Sequence, residues 1–218
     1  MSRINRKHGF GEGQMRHVGS HKHAFVLVAV LIFLCLSAVV FVISSKQAHK
    51  SLMGFPNFAE STFILTDQNG EVRKNVDFAS QPVALFFGFT FCPDVCPTTL
   101  LSLSNSLDKL SGDGVNTDRL QIIFISVDAE RDTPQQLRDY LSLFDMNVVG
   151  LTGDAEALAD SRAAFGAFAE KIESEDGDFT YDHSAAVYLY RSDGGFAGTI
   201  VFNEPEEFIR EKLRSILT

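Results

Sequence analysis

Nine consecutive residues, "PVALFFGFT" (Pro82–Thr90), carry no charge and no alternation of polar with apolar positions. A strand with one wet face alternates. A continuous apolar run of strand length is buried on both faces. Both faces then need a cover, and an α/β sheet with helices on each side supplies it. The run leads directly into "FCPDVCP", where Cys92 and Cys96 stand four positions apart among prolines.

The segments around this run alternate in type. "STFILTDQNGEV" reads as a hairpin turning at Asn69-Gly70. "PTTLLSLSNSLDKL" (Pro97–Leu110) places Leu100, Leu103, Leu107 and Leu110 at helical spacing, with Pro97 at the first helical position and Gly112 beyond the end. "LQIIFISVD" is a second buried strand. "TPQQLRDYLSLF" is a helix capped by Thr133, with Pro134 as its first residue. "NVVGLTG" is a short strand, and "DAEALADSRAAFGAF" a helix capped by Asp154. "AAVYLYRSDGGFAGTIVF" is a strand, a turn and a strand. "EPEEFIREKLRSIL" is a closing helix with acids first and bases last, matching its dipole. The predicted order is β-hairpin, β-α-β-α-β-α, β-hairpin, α. A thioredoxin-like layout fits it, and internal repeats are absent.

Ahead of the domain, "AFVLVAVLIFLCLSAVVFVI" (Ala24–Ile43) is an uncharged run of 20 residues. At about 1.5 Å per residue it is about 30 Å long, enough to cross a bilayer core. Arg3, Arg6, Lys7, Arg16 and Lys22 precede it against a single acid, Glu12. That basic flank keeps the N-terminus in the cytoplasm and sends the domain to the far side. The expected organisation is a basic head (1–23), a single transmembrane anchor (24–43), a linker (44–57) and the folded domain (58–218). Cys35 falls inside the anchor and reads as a small apolar residue. His8, His17, His21 and His23 read as part of a solvated basic tail. The net charge is −9, so with a basic head the domain is strongly acidic. That excludes nucleic acid as a partner.

Past residue 50 the soft donors are few: Cys92, Cys96, the methionines Met53 and Met146, and one histidine, His183 in "DFTYDHSAAVYLY". The cysteines follow the carboxyl end of a buried strand, where active groups of open α/β sheets gather. Cys96 stands beside the expected start of a helix, whose positive end is expected to lower its thiol pKa. A structural disulfide, a redox couple and a metal site are all compatible with the pair. A bridge across four residues closes so small a loop that it gains little chain entropy, which weighs against a purely structural bond. His183, on its chemistry alone, is open between a structural role and ligation. Zinc wants a fourth ligand, and the domain offers no further Cys or His. Two thiolates and an imidazole suit Cu(I), and thiolate ligation also holds Cu(II). No organic cofactor is indicated. In "VDAERDTP", Glu130 and Arg131 read as solvated loop charges, while Asp128 is open between the site's surroundings and a plain loop.

Three stretches, "FGFTFCPDVCPTTL", "IIFISVDAERDTPQQL" and "YDHSAAVYLYRSDG", resemble the Sco/SenC family. Those are membrane-anchored, thioredoxin-fold copper proteins that help assemble cytochrome c oxidase. The resemblance covers about residues 55–216. It implies copper binding by Cys92, Cys96 and His183, with Asp94 and Asp182 as candidates to support them. It implies delivery to the binuclear copper centre of oxidase subunit II, or to another copper or thiol protein. It also implies an inner-membrane site with the domain in the periplasm, or in the intermembrane space of a mitochondrion. Phe91 stands where many relatives carry a polar residue. The competing reading is a thiol-disulfide oxidoreductase using Cys92 and Cys96 as its redox pair. Thioredoxin-type reductases carry a cis-proline before the strand facing their dithiol. Here Tyr181, Asp182, His183 and Ser184 occupy that place, and the prolines lie elsewhere, which favours metal binding.

Overall fold

The computed structural model describes residues 31–37 and 55–218, except residue 175. Residues 31–37 are helical, with exposed apolar side chains. Among the described residues no helix is long and apolar enough to cross a membrane. The basic head, most of the Ala24–Ile43 run and most of the linker lie outside the described residues.

The folded unit begins at Phe55, whose ring stacks on Phe196 with centroids 4.1 Å apart, so residues 55–57 of the expected linker belong to the packed domain. Its strands are β1 (Ile64–Asp67), β2 (Val72–Lys74), β3 (Val83–Gly88), β4 (Gln121–Ser126), β5 (Val148–Thr152), β6 (Ala169–Glu173), β7 (Phe179–His183), β8 (Val187–Tyr190) and β9 (Phe196–Ile200). Its helices are α1 (Val95–Gly112), α2 (Pro134–Leu141), α3 (Ala155–Ala164) and α4 (Glu206–Leu217). Seven strands form one sheet in the order β2-β1-β5-β4-β3-β8-β9. The β3, β4 and β5 strands run parallel, and the flanking pairs are antiparallel. This is the thioredoxin-like α/β layout expected from the order of segments.

The apolar run divides between two cores as period two requires. Ala84 and Phe86 of β3 face a cluster with Leu100 and Leu103 of α1, Leu137 of α2, and Ile209 and Leu213 of α4. Val83, Leu85 and Phe87 face the opposite cluster, which holds Leu158 of α3 and the rings of Phe58, Phe63 and Phe165. Each such side chain contributes about 1.5–3 kcal/mol on burial. The expected helix caps are in place: Thr133 Oγ1 accepts from Gln136 N at 3.2 Å, and Asp154 Oδ1 from Ala157 N at 2.8 Å.

Two features depart from expectation. The first helix begins at Val95, with Asp94 as its cap residue, ahead of Pro97. Proline fits there because the first turn's N–H groups have no intrahelical partner to lose. Strands β6 and β7 were not expected at all. Among the described residues they pair only with each other, as a two-stranded sheet apart from the main one.

Candidate metal centre

Two structural units bring three donors together. The first is the turn from β3 to α1. Cys92 N donates to Phe89 O at 3.2 Å, and Cys96 N donates to Cys92 Sγ at 3.4 Å. Below the turn lies Asp132, only 3% exposed. Its carboxylate accepts from Thr90 Oγ1 at 2.6 Å, from Thr90 N at 3.2 Å and from Ser126 Oγ at 2.6 Å. The loop is thereby tied to the end of β4. Gly88 is needed here for want of a side chain. A Cβ at that position would lie 2.9 Å from Cys96 Sγ and 2.7 Å from the Phe124 ring.

The second unit is β7, which ends at His183. His183 Nδ1 lies 2.9 Å from Ser184 O. A carbonyl oxygen only accepts, so Nδ1 donates to it and Nε2 is the ring nitrogen turned to the cysteines, where it donates to the Cys92 thiolate and, on losing its proton, offers a lone pair to a metal. Nε2 lies 4.0 Å from Cys96 Sγ. The Phe89 ring meets the imidazole edge-on, with centroids 5.7 Å apart. The donor atoms of Cys92, Cys96 and His183 all lie within 4.8 Å of one another. Three donors spread around one ion at about 2.0–2.3 Å stand about 3.5–4 Å apart. The cluster fits a metal after a closure of up to about 1 Å.

The two sulfurs differ sharply. Both cysteines are free, Cys92 half-buried and Cys96 buried. Hydrogen bonding from the Cys96 thiol, joined by His183 and the backbone N–H groups of Cys96 and Asp94, outweighs burial and pulls the Cys92 pKa down to about 4. The same hydrogen bond, with burial and the neighbouring Cys92 charge, pushes Cys96 above the ordinary thiol range. This reverses the expectation that the helix start would acidify Cys96. Because α1 begins at Val95, the N–H of Cys96 belongs to its open first turn and points at Cys92 Sγ. The helix end therefore serves the other sulfur.

The remaining expectations divide. Asp94 lies at the cap, where its carboxylate accepts from Thr98 Oγ1 at 3.2 Å. Asp182 is exposed on the β7 face opposite His183, and Ser184 O orients the ring instead. Asp128 is fully buried and accepts from the backbone of Glu130 and Arg131, both at 3.1 Å, and from Arg131 Nε. Glu130 is exposed and paired with Lys171 at 2.6 Å. Arg131 is not a solvated charge. Its side chain is 19% exposed and packs against aromatic rings, Phe91 among them. Sequence reasoning missed Asp132, Thr90 and Gly88 altogether.

The SCO1/SenC family pattern matches residues 53–218. The chain belongs to the SCO1/SenC family. It is 29% identical over 200 residues to an SCO2-like protein of Rickettsia conorii, covering 87% of this chain and 95% of that one. It is 40% identical over 138 residues to the mitochondrial SCO2 homolog of Bos taurus, covering 63% of this chain and 52% of that protein. The structure of Bradyrhizobium japonicum ScoI with copper bound superposes with a TM-score of 0.64 at 40% identity, covering 72% of this chain and 98% of that one.

Proposed function

We propose that this Sco domain binds one copper ion through Cys92, Cys96 and His183 and passes it to the binuclear copper centre of cytochrome c oxidase subunit II. The observation that carries the reading is the convergence of two sulfurs and His183 Nε2 within 4.8 Å. The copper-bound relative at 40% identity supports the metal, and the family supports the recipient class. The donor set is soft and low in number, which suits Cu(I). Cys92 meets the ion already as a thiolate, whereas Cys96 must release a proton on binding. With the donors on two separate units, a partner's ligands can replace them one at a time. Oxidation of the pair forms one S–S bond with loss of two electrons and the remaining thiol proton. A disulfide offers no thiolate, so the redox state of the pair gates loading.

The same reading places the chain in the inner membrane, anchored by residues 24–43 with the domain in the periplasm or intermembrane space. The basic flank and the helical, apolar, exposed stretch at 31–37 support this. A reporter fused after Thr218 that fluoresces only in the cytoplasm is expected to stay dark.

One observation also favours a thiol-disulfide oxidoreductase: Cys92 is a half-exposed thiolate and Cys96 a buried thiol. An attack by Cys92 on a partner disulfide, resolved by Cys96, needs that arrangement. The deciding experiment titrates the reduced full chain, in detergent and without oxygen, with Cu(I) and then applies a calibrated disulfide buffer. Copper at about 1,000 times its Kd stabilises the dithiol by about 4 kcal/mol. That raises the apparent potential by roughly 90 mV. Strong protection in the wild type that shrinks in His183→Ala is expected. An unmoved midpoint alongside reduction of partner disulfides would hand the function to the oxidoreductase.

A further inference from the structure

The histidine hairpin poses a physical question: what holds His183 against the cysteines when β6 and β7 lie outside the main sheet? One side chain from a third segment touches both units. Arg131, in the loop between β4 and α2, donates through Nη1 to Phe179 O at 3.0 Å and lies 3.8 Å from Asp178. Phe179 opens β7, the strand that ends at His183. The guanidinium carbon sits 3.7 Å from the Phe179 ring centre and 4.8 Å from that of Phe91, the residue before Cys92. Its Nη2 is buried with no hydrogen-bond acceptor, so ring faces supply its contact. On the other side, Nε donates to the fully buried Asp128, which fixes the arginine to the end of β4.

We propose that Arg131 is the positioning residue of the site: clasped between Phe91 and Phe179 and anchored on Asp128, it sets His183 Nε2 at bonding distance from a metal held by Cys92 and Cys96. A planar, always charged guanidinium suits this work. It stacks on two rings while its edge makes directed bonds to a carboxylate and a carbonyl. Phe91 thus gains a purpose in this chain: it provides one wall of the clasp.

The consequence for copper rests on the copper reading above, and the test separates the two. Cu(I) affinity is measured by competition with a chromophoric Cu(I) chelator on the reduced full chain. The variants are Arg131→Gln and Phe179→Leu, each alone and combined with His183→Ala. Phe179→Leu keeps the Asp128–Arg131 pair, so it guards against a variant that merely unfolds. Each single change is expected to weaken binding about 10- to 100-fold. Neither is expected to weaken it further once His183 is gone, because residues acting through one another are not additive. In the metal-free chain, amides of 169–173 and 179–183 are expected to exchange faster, and the His183 ring resonances to move toward those of free histidine, while β3 and β4 stay protected. Losses that add to that of His183→Ala overturn the proposal. So do an unchanged hairpin exchange and unchanged His183 resonances. If the wild type takes up no copper, the copper reading alone falls, and the metal-free measurements still decide whether Arg131 positions His183.

Discussion

The cysteine turn and the histidine hairpin supply donors to one cluster by opposite means. The turn grows out of the central strand β3 and is fixed from beneath by a buried carboxylate. In the hairpin, β7 alternates between half-buried and exposed positions while β6 is exposed past Ala169, and the pair reaches the domain through rings, ion pairs and the Arg131 hydrogen bond. Backbone ladders and buried hydrogen bonds open only with large parts of the fold, whereas a side-chain attachment opens locally. Such a division suits a protein that gives its metal away. The two sulfurs keep their geometry, and the imidazole can leave first.

If that division is right, the largest effects come from the turn. Cys92→Ala and Cys96→Ala are each expected to abolish stoichiometric Cu(I) binding in the chelator competition. His183→Ala is expected to leave a weaker two-sulfur complex. Equal losses in all three would erase the distinction between the two units.

A second contrast lies in reactivity. With its pKa near about 4, Cys92 is a full thiolate at pH 6, so its alkylation by iodoacetamide is expected to be flat from pH 6 to 8. An ordinary thiol with a pKa of about 8.5 accelerates by about 75-fold over that range. Cys96 is expected to stay unmodified. The hydrogen bond from Cys96 is the first cause of the depression and that from His183 comes later, so the midpoint is expected to rise more in Cys96→Ala than in His183→Ala. The sign for stability follows. A depressed thiol pKa contributes stability that is complete above the unfolded value near pH 9 and is lost as pH falls toward about 4. Urea melts of the reduced chain are expected to show this loss, and Cys92→Ser to reduce it.

What sequence reasoning could reach follows the same line. The turn's framework is local: an apolar run, a helix with its leucines at regular spacing, and caps at Thr133 and Asp154, all within a few residues of what they bond. The position of the helix start was lost by a residue pair, since Pro97 serves the third position of a helix as well as the first. That small shift decided which sulfur is acidic. The hairpin was hard to read because "AEKIE" is charged and carries no hydrophobic period, and the alternation in "FTYDH" spans only five residues. Arg131 read as a solvated charge in its loop, and Asp132 beside it drew no reading. Their burial comes from Phe179 and Thr90, partners more than forty positions away.

Removing the turn's anchor tests its rigidity directly. Asp132→Ala removes the acceptor of Thr90 N–H and O–H at a half-buried residue and leaves the buried Ser126 O–H only the longer contact to Asp128 O at 3.4 Å. Each buried group left without a partner costs about 1–3 kcal/mol. A loss of about 1–3 kcal/mol in chemical denaturation is expected. Gly88→Ala, which drives a methyl toward Cys96 Sγ and Phe124, is expected to cost about 1–3 kcal/mol as an overpacked core. A domain that tolerates both without loss of stability would show that the turn is no firmer than the hairpin.

The smallest effect is expected at the hairpin's outer attachment. Lys171 Nζ pairs with Glu130 at 2.6 Å and lies 3.8 Å from the Phe179 ring centre, so on distance alone it rivals Arg131. Exposure separates them. The Glu130 side chain is 58% exposed and Lys171 about a third, whereas the Asp128 that holds Arg131 is fully buried. Exposed pairs contribute about 0.2–1 kcal/mol, because water screens the attraction and two long side chains lose freedom. A double-mutant cycle of Glu130→Gln and Lys171→Met is therefore expected to give a coupling below about 1 kcal/mol. That coupling should vanish in 1 M salt, where the screening length is about 3 Å. Copper affinity in Lys171→Met is expected to stay near the wild-type value. A coupling that survives salt, or a copper loss matching that of Arg131→Gln, would move the hairpin's point of attachment from the buried arginine to the exposed lysine.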